Sequence, residues 1–108
     1  MRVPSIEHLR DALEYDPETG VLKWKPKQGG TPQDARWNGR NAGVPATCLN
    51  THGYIHISFT DPDGNRFKLR AHRVIFAIVE GRWPVILDHR NGVRNDNRWE
   101  NLRETNTS

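Results

Sequence analysis

The chain has 108 residues, a length that suits one domain, 1–108, with a modest core. Only 34% of its residues are hydrophobic, yet four Trp and several aliphatic runs argue against disorder, and no apolar run approaches the length of a membrane span. A single cysteine, Cys48, excludes an internal disulfide and an all-Cys zinc site, and a net charge of +3 favours an anionic partner, nucleic acid before membrane.

In chain order, the first predicted element is a helix within 4–16, because Ile6, Leu9 and Leu13 share one helical stripe and Ser5 suits the N-cap. "YDPETGVLKWK" (15–25) reads as a turn and a strand: Asp16-Pro17 starts the turn, Gly20 can take positive φ, and Val21, Leu22 and Trp24 favour extended chain. Residues 26–47 hold Gly, Pro, Asn and Gln with scattered apolar residues, and read as an irregular loop with room for short strands. "GYIHISF" (53–59) alternates and "RFKLRA" (66–71) returns after the turn "TDPDGN", which predicts a β-hairpin. That turn faintly resembles a calcium loop, but no bidentate acid follows at the required place. The run Val74–Val79 suits either a buried strand or a helix over 71–80 ended by Gly81 and Pro84, and periodicity alone does not decide. "VILDH" (85–89) predicts a short strand, "RNGVRND" (90–96) a turn built on Asn91-Gly92, and "DNRWENLRE" (96–104) a helix capped by Asp96. The fold class expected is α+β: an N-terminal helix and β-hairpin region (1–70), then a C-terminal unit (71–104).

Chemistry concentrates in "LDHRNGVRNDNRWENLR" (87–103). On a helix at about 100° per residue, Asn97 and Asn101 share one face, while Trp99 and Leu102 fall on the other. A short loop would fold that helix back over Asp88 and His89. A carboxylate and a carboxamide oxygen are hard ligands that suit Mg2+ or Mn2+ and leave positions for water and phosphate. An imidazole beside them can take a proton from water near neutral pH. Arg73, Arg90, Arg94, Arg98 and Arg103 can contact phosphates, and the backbone N–H groups at 96–98 would point at an anion. These parts describe metal-assisted phosphodiester hydrolysis.

The stretch "AHRVIFAIVEGRWP…LDHRNGVRNDNRWENLR" resembles the HNH endonucleases, in particular their small phage-type and homing-type branch. The shared pattern is an Ala-His-Arg start, a helix, an Asp-His pair, an Asn-Gly turn, Asp-Asn-Arg and Glu-Asn-Leu-Arg, matched here from Ala71 to Arg103. "YDPETGVLKWK" and the Gly53-Tyr54 strand are also typical of such proteins. The resemblance implies a ββα-metal fold, a two-stranded ribbon and a helix clasping one divalent metal, and makes 72–80 a helix. It implies His89 as general base, Asp88 and Asn101 as metal ligands, and Asn97 as the residue that orders the catalytic loop. Asn101 in place of a final His matches the homing-type variant and favours Mg2+ or Mn2+ over zinc or nickel.

The expected function is that of a DNA endonuclease with one Mg2+ or Mn2+ per site, acting on double-stranded DNA, leaving 5′-phosphate and 3′-hydroxyl ends, and nicking one strand at a time. The alternative is an HNH-like module that grips DNA or a packaging protein without cutting. A monomer is expected, with a dimer as the other possibility, in the cytoplasm of a bacterial host, phage- or prophage-encoded, with no membrane partner. His72 is expected to support the site from beneath. Trp37, between Arg36 and Arg40, is the best aromatic candidate for touching DNA, whereas Trp24, Trp83 and Trp99 are expected in or near the core, and His8, His52 and His56 are expected to carry no site chemistry.

Overall fold

A computed structural model describes residues 3–49 and 54–105, so Gly53 and His52 lie outside the described residues. Helix α1 (Ile6–Ala12) carries the predicted stripe: Leu9 is fully buried, and Leu13 just beyond the helix is also buried. Ser5 occupies the N-cap position, but its side chain makes no capping bond. The chain then forms an antiparallel hairpin, β1 (Leu13–Asp16) and β2 (Val21–Trp24), with Tyr15 opposite Leu22. Its turn is set by Asp16, whose carboxylate accepts from Glu18 N and whose carbonyl accepts from Gly20 N, and by Gly20 at φ 79°.

The loop expected over 26–47 contains a helix instead, α2 (Pro32–Asn41). Its start follows local rules: Thr31 accepts from Asp34 N at 3.0 Å, and Pro32 stands in the first turn. The polar composition hid it, because α2 buries no residue fully and so has no apolar stripe to read. Three strands follow in antiparallel order, β3 (Thr47–Leu49), β4 (Ile55–Thr60) and β5 (Arg66–Arg70). The turn between β4 and β5 is an Asp61 turn, with the carboxylate accepting from Asp63 N and Asn65 N, rather than an ion-binding loop.

Helix α3 (Ala71–Glu80) resolves the ambiguous run as a helix. It ends as expected, at Gly81 with φ 78° and its N–H on the Ala77 carbonyl. Ala71, His72, Val74, Ile75, Phe76 and Ala77 are buried, while Val79 is exposed. Ile57, Phe59, Val74 and Ile75 join Leu9, Leu13, Leu22 and Leu102 in one apolar cluster.

The largest departure lies at the C-terminal end. Residues 96–104 are not a helix. They form one 3-10 turn, Trp99–Asn101, and then β7 (Leu102–Thr105), antiparallel to β6 (Ile86–His89). An unpaired β6 would leave a row of backbone N–H and C=O groups unsatisfied, and pairing with β7 satisfies them. The Asn91-Gly92 turn, with Gly92 at φ 74°, makes the reversal. The class remains α+β, with helix α3 preceding the ribbon. No helix among the described residues is long and apolar enough to cross a membrane.

Candidate active site

The β6–β7 ribbon separates the two residues of the Asp-His pair. Successive side chains on a strand leave opposite faces. His89 therefore faces inward, opposite Leu102, and is 5% exposed. Asp88 faces outward, opposite Arg103. Its Oδ1 accepts from His89 N at 2.9 Å and its Oδ2 from Arg103 Nη2 at 3.0 Å. That guanidinium holds the Asp88 carboxyl below its ordinary range, so the group is a carboxylate at neutral pH.

His89 is built into a buried polar cluster. Its Nε2 lies 2.8 Å from Asn97 Oδ1. A carboxamide oxygen only accepts, so in this arrangement Nε2 carries the hydrogen and Nδ1 keeps the lone pair. Asn97 is 3% exposed, and its position is fixed from outside the ribbon. The Tyr15 hydroxyl donates to the Asn97 carbonyl at 2.6 Å, and Trp99 N–H donates to the Pro17 carbonyl at 3.0 Å. Burial, with the charges of Asp16 and Asp96 adding, pushes the Tyr15 phenol well above its usual range and keeps it a donor.

His72, at the start of α3, lies with its ring centre 4.7 Å from that of His89, and Tyr54 completes a triangle of rings, stacked on His72 at 5.8 Å and tilted to His89 at 6.3 Å. Burial first, then His89, Arg70 and Arg73, lower the His72 pKa to about 4, against a hydrogen bond to the Leu87 backbone that pulls it up. His72 is thus neutral at pH 7 and supports the His89 ring without adding charge.

Asn101 is buried, and both ends of its carboxamide are hydrogen-bonded. Its Oδ1 accepts from Asn91 N at 3.1 Å, and its Nδ2 donates to Asn91 Oδ1 at 3.0 Å and to the Asp96 carbonyl at 2.8 Å. Its own carbonyl accepts from Arg90 N at 2.7 Å. Asn101 clamps the 90–96 loop. Asp88 lies on β6, one residue before His89, and Asn101 lies immediately before β7, the strand that pairs with β6. Among the described residues, no group of three or more His, Cys, Asp or Glu side chains is placed to hold a metal. The donor chemistry of Asp88 fits a hard divalent cation, and Asn101 Oδ1 has a second lone pair beyond the one that accepts from Asn91 N.

The arginines nominated from sequence divide into two groups. Arg98 pairs with Asp96 and Glu100, Arg103 with Asp88, and Arg73 donates to the Pro84 carbonyl. Arg90 and Arg94 stand exposed on the loop, and Arg94 lies over the Tyr54 ring at 4.8 Å. Trp37 is half-buried, edge-on to Trp24 at 5.8 Å with Lys27 above it at 4.7 Å, which makes it a packing residue of α2. Trp24, Trp83 and Trp99 pack against the core as expected.

The strongest cationic surface lies elsewhere. Arg66, Lys68 and Arg70 alternate on the exposed face of the edge strand β5, opposite Thr60, Ser58 and His56. No Asp or Glu occurs between Gly64 and Val79. Arg70 covers the Tyr54 ring at 4.1 Å, so this face leads to the His72–His89 cluster. The signal in the sequence is the period-two alternation of cations in "RFKLR", which on a strand puts all three on one face.

Residues 69–108 match the model of the HNH endonuclease family. The family comprises nucleases that act on DNA and generally use a divalent metal. No curated protein and no solved structure matches the chain.

Proposed function

We propose that the protein is a DNA endonuclease of HNH type with His89 as its general base. The observation that carries this reading is the buried His89 Nε2–Asn97 Oδ1 contact of 2.8 Å, inside the segment that matches the family. Asn97 fixes the ring and its tautomer, and the lone pair on Nδ1 is then available to take a proton from the attacking water. Asp88, a carboxylate on the adjoining position, would hold a Mg2+ or Mn2+ ion, which when bound supplies charge stabilisation at the scissile phosphate. Asn101, the other protein ligand expected from sequence, clamps the 90–96 loop and would offer the second lone pair of its Oδ1 to the same ion. Arg66, Lys68 and Arg70 of β5, with Arg90 and Arg94 of the loop, bind the phosphate backbone of duplex DNA. Cleavage proceeds by nicks that leave 5′-phosphate and 3′-hydroxyl ends, because one chain carries one such base. A single domain over 1–108, phage or prophage origin and a cytoplasmic setting complete this reading.

Supercoiled plasmid incubated with the protein and Mg2+, Mn2+ or EDTA tests it. Open circles that appear with metal, precede linear DNA and vanish with EDTA support the proposal. A second reading has its own observation: His89 is almost fully enclosed, as in a module that binds DNA without cutting it. Retardation of the plasmid with no cleavage under any metal would favour that reading.

A further inference from the structure

We infer that Tyr15, on the N-terminal hairpin, is a positioning residue for His89, acting through Asn97. The inference rests on the proposed role of His89. The segment that matches the nuclease family begins at residue 69, whereas Tyr15 and its hairpin lie far upstream. Yet the β1–β2 turn grips the site at three points. The Tyr15 hydroxyl donates to the Asn97 carbonyl, and the Pro17 carbonyl accepts from Trp99 N–H. Gly20 lies flush on the peptide between Asn97 and Arg98: a Cβ there would stand 2.5 Å from Asn97 C and 2.6 Å from Arg98 N. The backbone of 97–99 is therefore held at three points by a different part of the chain.

The side chain of that same Asn97 sets the direction of the His89 ring. A 3-10 turn of three residues and an exposed loop on its other side offer little stiffness of their own. The family segment thus takes the rigidity of its central Asn from the hairpin. A shift of about 1 Å in a catalytic group can cost on the order of 100-fold in rate, so the strap bears on turnover as well as on folding.

The test is Tyr15→Phe, which removes one hydroxyl and keeps the ring packing, in the full chain. The plasmid-cleavage kcat should fall on the order of 10- to 100-fold with KM for DNA unchanged. The same substitution in an Asn97→Ala background should cost almost nothing, because the strap then has no side chain to aim. Gly20→Ala, which pushes on the same peptide, should also lower kcat. Independently of activity, the His89 ring nitrogen resonances in a nitrogen-15 NMR spectrum should move in Tyr15→Phe while the β3–β5 amide signals stay in place. Equal losses in the wild-type and Asn97→Ala backgrounds would overturn the inference, since a purely structural role adds. So would an unmoved His89 ring signal. If the wild-type protein binds DNA but never cuts, the nuclease reading falls, and the ring resonances alone decide whether Tyr15 positions His89.

Discussion

The two faces of the β6–β7 ribbon give neighbouring residues opposite physical lives. On the inner face His89 and Leu102 are buried, and the polar contacts of the cluster are hydrogen bonds among imidazole, carboxamide, phenol and backbone. On the outer face Asp88 and Arg103 form an ion pair with both side chains half in water. Hydrogen bonds in a low-dielectric interior are directional and costly to leave unmade, so the inner face fixes geometry. A screened surface pair fixes little, so the outer face leaves its carboxylate free to exchange partners. Fixed geometry suits a base that must be aimed, and exchangeable geometry suits a group that must accept an ion.

Substitutions on the inner face should therefore have the largest effects. His89→Ala should lower plasmid cleavage by about 10²- to 10⁴-fold, as loss of a general base does, while gel retardation of a DNA duplex stays nearly unchanged. Wild-type turnover in this variant would remove His89 from the mechanism. Asn101→Ala strips the 90–96 loop of its clamp and should destabilise the fold by about 2–3 kcal/mol, measured by urea denaturation. Calorimetric titration with Mn2+ in the same variant tests its second role: the affinity should fall, and an unchanged affinity would leave Asn101 a loop clamp alone.

The pH dependence of stability probes the inner face without substitution. His72 is held neutral in the native state, with its pKa lowered to about 4 from 6.5. The unfolded chain therefore binds one more proton than the native chain between those values. Stability from this group is present above pH 6.5 and is lost as pH falls toward 4, by up to about 3 kcal/mol. His72→Gln should flatten the melting-temperature profile in that window. A profile already flat in the wild type would contradict the enclosed, neutral His72.

The exposed cations should act only on binding. Lys68→Ala and Arg66→Ala should each reduce the slope of log affinity against log salt by about one, for any duplex sequence. An unchanged slope would move the DNA contact off β5. The smallest effect belongs to the outer face: Arg103→Ala should leave the melting temperature unchanged within error, because the Asp88 pair it breaks is solvated on both sides.

The sequence was most informative where local chemistry and burial agree. Leu9 and Leu13 on α1, Gly81 at the end of α3, the Asp16 and Asp61 turns and the β4–β5 hairpin are all legible, because each is set by residues close in the chain. The proximity of His89 to Asn97 is also implied by their spacing and by the family pattern. α2 was hidden because a helix that buries nothing leaves no apolar period. Residues 96–104 misled for a different reason. Asp96 does accept from Arg98 N as an N-cap would, and Asn101 N does reach back to the Arg98 carbonyl, so the local helical signals are real for one turn.

By itself, then, the sequence determined the chemical inventory: a basic chain, an Asp-His pair, two carboxamides, and the residue types of an HNH segment. Only the tertiary structure decided what each member does. β6 needed a partner for its backbone groups, so Leu102–Thr105 became a strand, and Asn101 just before it came to clamp the 90–96 loop. Packing of the N-terminal hairpin placed Tyr15 and Gly20 on the Asn97 peptide, across a separation that no local pattern spans. The physical reason is one of range: caps, turns and periodicity act over a few residues, whereas pairing of strand edges and burial of the last polar groups are settled between segments far apart in the chain.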